Sequence, residues 1–255
     1  MHMRHSRVLQ MLRAGETVYT FKLNTNDPRI AEIVAMSGFP CIWLDQEHTT
    51  GDWSALETQI YAAKAHDADV MVRVPRGPYS AYSRPLELDA AGLMVPHIMS
   101  LADARAVVRA TRFQPIGRRA VDGGNADGAY CGVEFKQYLL EANRQRFICI
   151  QIEDPEPLDE LDAICALDGV DIIFFGPGDF SHGIGDPGNF ANPRLLDARR
   201  RVAECALAHG KWAGTTGSPE TAEELRALGY RFINIGADVH AIWGYCKEKL
   251  AGVGL

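Results

Sequence analysis

The sequence predicts a single-domain (β/α)8 barrel, a TIM barrel, spanning residues 1–255. Three observations point to it: eight short apolar runs rich in β-branched and aromatic residues, helical patterns between them, and a length that suits one such barrel. A doubly wound sheet is the competing architecture. It usually has fewer strands and a glycine-rich phosphate loop after the first, whereas the first run here leads into NTNDPR.

The runs are TVYTFKL (17–23), CIWLDQE (41–47), VMVRVP (70–75), GLMVPHI (92–98), FICIQIE (147–153), VDIIFFGP (170–177), KWAGTTG (211–217) and RFINIGA (231–237). Each is almost continuously hydrophobic, as strands covered on both faces must be. DWSALETQIYAAKAH (52–66) and SLADARAVVRATRF (100–113) have apolar residues at helical spacing, the second opened by Ser100 with Asp103 three residues on. SPETAEELRALG (218–229) predicts a helix with Ser218 as N-cap, Pro219 at the first helical position and Gly229 at the stop. One segment breaks the alternation. Residues 118–145, RRAVDGGNADGAYCGVEFKQYLLEANRQ, read as a long loop plus an extra helix, expected near the C-terminal mouth, where long ordered loops are usually functional.

A net charge of −7 argues against nucleic-acid or anionic-membrane partners, which reward clustered Lys and Arg. Arg199-Arg200-Arg201 is the only dense basic patch and reads as solvated surface or interface. The six cysteines (41, 131, 149, 165, 205 and 246) form no C-x-x-C pair and fall mostly in apolar runs. They read as reduced core residues of a cytoplasmic protein. The N-terminus lacks an apolar signal core, and no stretch approaches the roughly 18–20 apolar residues of a membrane span.

Barrel active sites lie at the C-terminal ends of the strands, and polar residues gather there. The second run ends in Asp45, Glu47 and His48; the third carries Arg73; the fifth carries Gln151 and Glu153; the sixth leads into GPGD with Gly178 and Asp179. Buried charges at such positions face one another or an ion. Glu153 and Asp179, about one strand–helix unit apart, suit a hard divalent cation such as Mg²⁺ or Mn²⁺. Their plainer reading is a cap before Pro155 and a turn-forming aspartate. Arg73 is either paired with Glu47 or Glu153, or binds a carboxylate or enolate oxygen. His48 is either structural or a general base tuned by a neighbouring acid.

As a set, LDQEH, VRVP, VPHI, IQIED, FFGPGDFS, GIGDPGN and NIGAD, in this order and spacing, resemble the HpcH/HpaI family of class II aldolases over nearly the whole chain. These are metal-dependent lyases that use pyruvate, such as 4-hydroxy-2-oxo-heptane-1,7-dioate aldolase. The resemblance implies His48 as catalytic base, Arg73 as stabiliser of the enolate, and Glu153 and Asp179 as metal ligands. Gln151, Gly178 and Asp179 then contact the 2-oxo acid, and Asp45 matches the acid that begins the D-x-E-H motif. The expected cofactor is Mg²⁺ or Mn²⁺, with Co²⁺ as a further option. The expected partners are a 2-oxo acid, an aldehyde and further copies of the chain, in a hexamer whose last helix is exchanged.

Three features depart from the family pattern. The aspartate that supports the histidine is replaced by Glu87, nine residues before Pro96, with Asp89 two residues on. Ala120 and Asp122 stand at glycine positions of GRRAVDGG, and HTTGDW replaces a proline-containing turn. The expected reaction is reversible cleavage of a 4-hydroxy-2-oxo acid to pyruvate, or a similar 2-oxo acid, and an aldehyde. Two rival readings are a Schiff-base aldolase using Lys22 and a barrel that binds 2-oxo acids without turnover.

Overall fold

A computed structural model describes residues 1–253. Eight parallel strands close into a barrel in sequence order: β1 (Val18–Leu23), β2 (Cys41–Asp45), β3 (Asp69–Arg73), β4 (Gly92–Val95), β5 (Phe147–Ile152), β6 (Ile172–Phe175), β7 (Trp212–Thr216) and β8 (Tyr230–Ala237). Every strand falls within the apolar run that predicts it, give or take a residue. Helices cross back between strands, and α1 (Arg7–Arg13) precedes the first.

Side-chain parity divides the apolar residues into two layers. Ile42, Leu44, Val70, Val72, Ile148 and Ile150 point outward into the layer beneath the helices. Cys41, Trp43, Met71, Met94, Phe147, Cys149, Phe174 and Phe232 fill the barrel interior, where Val8, Leu9 and Leu12 of α1 plug the base. Asp69 anchors that plug by accepting hydrogen bonds from the Ser6 hydroxyl (2.7 Å) and the Val8 amide (2.9 Å). With the lower barrel packed by aromatic rings, the polar strand ends can only gather at the upper rim.

Helices α3 (Trp53–Lys64) and α5 (Leu101–Thr111) occupy their predicted positions, α5 with the Ser100 hydroxyl accepting from the Asp103 amide at 3.2 Å. Helix α10 (Ala222–Ala227) starts later than its pattern predicts, with Thr221 as its N-cap residue. Ser218 opens a separate turn instead, its amide donating to the Thr221 hydroxyl at 2.9 Å. The hydroxyl that could have capped the helix is thereby engaged in the turn before it.

The loop and extra helix at 118–145 exist, with α6 at Phe135–Gln145, but the loop lies along the barrel flank and not over the mouth. Asn125 sits with Trp53, Arg84, Glu87 and Leu88, the Tyr130 hydroxyl meets that of Tyr61, and Val133 and Tyr138 pack with Met3 and Phe113. A buried ion pair between Arg119 and Asp127 at 2.8 Å ties the segment together. Arg200 in the basic run is surface, paired with Asp197 and Glu204 at 2.6 Å each.

Candidate active site

The end of β2 is held by its own side chain. The Asp45 carboxylate accepts from the Glu47 amide at 3.0 Å, and the Gln46 amide donates to the Arg73 carbonyl at 2.8 Å. This Asx-type turn projects Glu47 and His48 over the barrel rim.

Asp45 and Arg73 are directly paired residues of β2 and β3, and both point inward. Arg73 donates from Nε to Asp45 Oδ1 (3.1 Å) and from Nη2 to Oδ2 (2.5 Å), while its Nη1 lies 3.2 Å from Glu47 Oε2. Its guanidinium stacks over the Trp43 ring at 5.1 Å. Lys22 of β1 completes the cluster, 2.8 Å from Asp45 Oδ2 and 5.5 Å over the same ring. Burial pushes the Asp45 carboxyl up, but Arg73 and Lys22 outweigh it and hold its pKa at about 2.

Glu153, just past β5, is 1 % exposed. Its Oε1 accepts from the His97 amide at 2.9 Å, and its Oε2 accepts from the Gln151 amide group. Desolvation dominates, and with the nearby charge of Asp179 it pushes the Glu153 carboxyl up to about 7 despite the His97 amide hydrogen bond and the charge of Arg73. Gly176 makes room for this pair, since a Cβ there would lie 2.7 Å from Glu153 Cβ and 2.8 Å from Gln151 Nε2. Gly178 and Asp179 follow in the first turn of α8 (Pro177–Gly183), both exposed to the mouth solvent.

His97 belongs to this rim although its sequence signal, one polar residue after the β4 Val-Pro, is slight. It adopts φ +49°, a conformation uncommon outside glycine, and its Nδ1 lies 2.8 Å from Asp154 Oδ2. Burial works against its protonated form, but the Asp154 contact and the charges of Glu153 and Glu47 raise its pKa overall.

His48 is more than half exposed, and its nearest acid is Glu47, at 3.5 Å. Glu87 is not brought to it within this chain. Glu87 ends α4 (Tyr79–Glu87) on the outer flank, where burial raises its carboxyl against the pull of Arg119, near Asp127 and Asp122. Asp89 is equally remote in role: it is buried and ion-paired with Arg146 and Lys64. Ala120 donates its amide to the Tyr79 hydroxyl at 2.9 Å, and Asp122 caps its own turn through the Gly124 amide. The expectation that these two line the mouth of their own barrel does not hold.

The rim is electrically unbalanced. Five carboxylates (Asp45, Glu47, Glu153, Asp154 and Asp179) face two permanent cations, Lys22 and Arg73. Gln151 Oε1 is buried without a hydrogen bond, and Glu47 Oε2 has none beyond its ion pair with Arg73. Oxygen donors, surplus negative charge and a buried oxygen without a partner suit a hard divalent cation. The residues present fit one.

A parallel barrel with an oxygen-lined, cation-hungry rim and one fixed arginine defines a class of enzyme that binds anionic substrates through a metal. The chain belongs to the HpcH/HpaI aldolase/citrate lyase family, whose profile matches residues 19–243. It is an enzyme, a lyase of that family. It is 34% identical over 248 residues to hydroxypyruvate/pyruvate aldolase of Pseudomonas aeruginosa, covering 97% of this chain and 92% of the relative. It is also 34% identical to 4-hydroxy-2-oxovalerate aldolase of Rhodococcus jostii, over 91% of this chain and 89% of that one. The crystal structure of an HpcH/HpaI aldolase from Desulfitobacterium hafniense superposes with a TM-score of 0.91 at 27% identity, covering 96% of this chain and 95% of the other.

Proposed function

We propose that this chain catalyses reversible aldol cleavage of a 4-hydroxy-2-oxo acid to pyruvate, or a similar 2-oxo acid, and an aldehyde. The observation that carries the proposal is the buried Glu153 carboxyl beside Asp179 on a rim short of positive charge. Glu153 and Asp179 are the residues to hold a divalent cation, Mg²⁺ or Mn²⁺ with Co²⁺ as a further option. When bound, the cation supplies Lewis acidity at the carboxylate and keto oxygens of the 2-oxo acid. Arg73 donates to the oxygen on which enolate charge develops, already oriented by Asp45 and Glu47 so that little reorganisation is needed. His48 takes the proton of the 4-hydroxyl group, with Glu47 beside it as the supporting acid. Gln151 and the Gly178 backbone amide, free in the first turn of α8, position the acid's carboxylate.

The Schiff-base alternative is disfavoured by Lys22 itself. That route needs a neutral, desolvated amine, and Lys22 is engaged with Asp45.

We further propose a homo-oligomer, a hexamer on the family resemblance. Helix α11 (Asp238–Gly252) buries only Asp238, and Ile242, Trp243, Tyr245 and Leu250 are about half to two-thirds exposed. Tyr19 and Phe21 of β1 and Ile235 of β8 are only partly covered, so the wall lacks the helix that should close it. A second copy's α11 is suited to that position. Six free thiols, with Cys131 and Cys246 exposed, suit a reducing compartment, and we place the protein in the cytoplasm. Among the described residues no helix is long and apolar enough to cross a membrane.

The test is deuterium exchange into the methyl group of pyruvate, followed by NMR with Mg²⁺ or Mn²⁺ and again with EDTA. Metal-dependent exchange that disappears in Glu153→Ala and Arg73→Ala is expected. Exchange that survives EDTA would return the case to Lys22. Its absence throughout, in folded protein, would leave a binding barrel without turnover.

A further inference from the structure

A second constellation of ligating side chains lies on the outer wall, away from the mouth. It joins α7 (Leu161–Cys165), between β5 and β6, to the end of α9 (Pro193–Ala208), between β6 and β7. Asp162 and Cys165 are three residues apart on α7. Cys205 and His209 are four apart at the end of α9, the His209 amide donating to the Cys205 carbonyl at 3.2 Å. Both spacings place side chains on one helix face, and the two faces meet.

The ligand atoms of Asp162, Cys205 and His209 all lie within 4.8 Å of one another, with His209 Nε2 and Asp162 Oδ1 at 2.8 Å. The Cys165 thiol, fully buried, lies behind Cys205 and close enough for the two sulfurs to influence each other. Ligands around zinc at bond lengths of roughly 2.0–2.3 Å stand about 3.3–3.8 Å apart, so these three need only a small contraction to hold an ion, and Cys165 would have to move in from behind to complete four.

We propose that Asp162, Cys205 and His209, with Cys165 closing in from behind Cys205 as the fourth donor, form a tetrahedral site for a thiophilic divalent cation of the Zn²⁺ type, which clamps α7 to α9. The simpler account, one surface ion pair next to two core thiols, explains each residue alone. It does not explain why sulfur, nitrogen and oxygen donors from two helices converge on one point. Two neighbouring cations do not compete for the donors: Arg201 Nη2 is bound to the Leu158 carbonyl (3.1 Å) and Lys211 Nζ to that of Leu167 (3.0 Å). Their charges offset the excess negative charge that two thiolates and a carboxylate would leave around a divalent ion. The mixed sulfur–nitrogen donor set selects against Mg²⁺, whereas the all-oxygen rim selects for it, so the two sites sort different metals. The clamped helices flank β6, the strand that leads to Gly176 and Asp179.

The test uses the full chain, reduced, with Co²⁺ as spectroscopic probe and Zn²⁺ as competitor. The expected result is an intense near-ultraviolet thiolate-to-cobalt band that Zn²⁺ abolishes, unchanged in Glu153→Gln and lost in Cys205→Ser and in His209→Ala. One equivalent of Zn²⁺ should also shield the partly exposed Cys205 thiol from a thiol reagent, and EDTA should expose it again. Absence of the band in protein whose six thiols all titrate after unfolding would overturn the proposal. So would a band that persists in Cys205→Ser. Cys205 and His209 are only partly buried, so both variants are expected to fold.

Discussion

Asp45 and Arg73 stand opposite each other in register on β2 and β3 and share two hydrogen bonds of 3.1 and 2.5 Å at the barrel rim. The pair orients the guanidinium that the proposed chemistry uses, and it is also a determinant of stability at low pH. The Asp45 pKa is about 2 in the folded chain against an ordinary 3.8, so the folded state binds this proton less tightly than the unfolded one. Its contribution, about 2 kcal/mol, is complete above the unfolded pKa and is lost as pH falls through about 2. In Asp45→Asn that contribution is missing at every pH. Urea unfolding at a series of pH values should show the variant well below wild type near neutrality, with the gap closing in acid. A gap that stays constant would mean that the Asp45 charge is not what stabilises the pair.

Glu153 should show the opposite sign. Its carboxyl is raised to about 7 from an ordinary 4.5, so the folded, metal-free protein favours the protonated form. Stability from this group is greatest below 4.5 and declines as pH rises towards 7. In EDTA at pH 8, Glu153→Gln should therefore melt higher than wild type, and the difference should fade on acidification. With Mn²⁺ added, only wild type should gain melting temperature. A variant that melts lower than wild type in EDTA at pH 8 would contradict the assignment.

Gly176 tests the geometry of the carboxylate without altering its chemistry. In Gly176→Ala the new methyl group would meet Glu153 Cβ at 2.7 Å, which backbone or side chain must relieve. A destabilisation of about 1–3 kcal/mol is expected. A displaced carboxylate should lower pyruvate exchange roughly a hundredfold in protein that is still folded. Unchanged exchange would show that Glu153 tolerates the shift and has a looser role than proposed.

Helix α11 leaves Trp243 67 % exposed, which is unusual for an indole in a chain without partners. Light scattering should give a mass that is a multiple of 28.1 kDa. Replacing Ile242 and Trp243 together by aspartate should reduce it to smaller species. A wild-type mass of 28.1 kDa would remove the exchanged helix from the account.

Some of this site could be read directly along the chain. Asp45, Arg73, Gln151 and Glu153 announce themselves because a charged or amide side chain at the end of an apolar run is conspicuous, and a barrel brings all such ends to one rim. His97 was harder to read. Its motif was visible, but its part in the rim depends on a left-handed turn and on Asp154 from the next strand's loop. Lys22 was legible as a strand lysine, yet its meeting with Asp45 depends on the β1–β2 pairing. Where Glu87 sits could not be read from its count back from Pro96, which measures distance along the chain. The turn of α4 carries its side chain to the flank beside Arg119.

The sequence by itself determined the eight strands, the order of the barrel and the residue types at its mouth, since these follow from local hydrophobic pattern and from strand ends that share one direction. Only the tertiary structure decided which charges meet: Asp45 with Arg73 and Lys22, Glu153 with His97 and Gln151, and Asp162 with His209 across two helices. It also decided that the 118–134 loop lies along the flank. The physical reason is that such contacts depend on strand register, side-chain parity and helix crossing, which are fixed only when distant segments pack together.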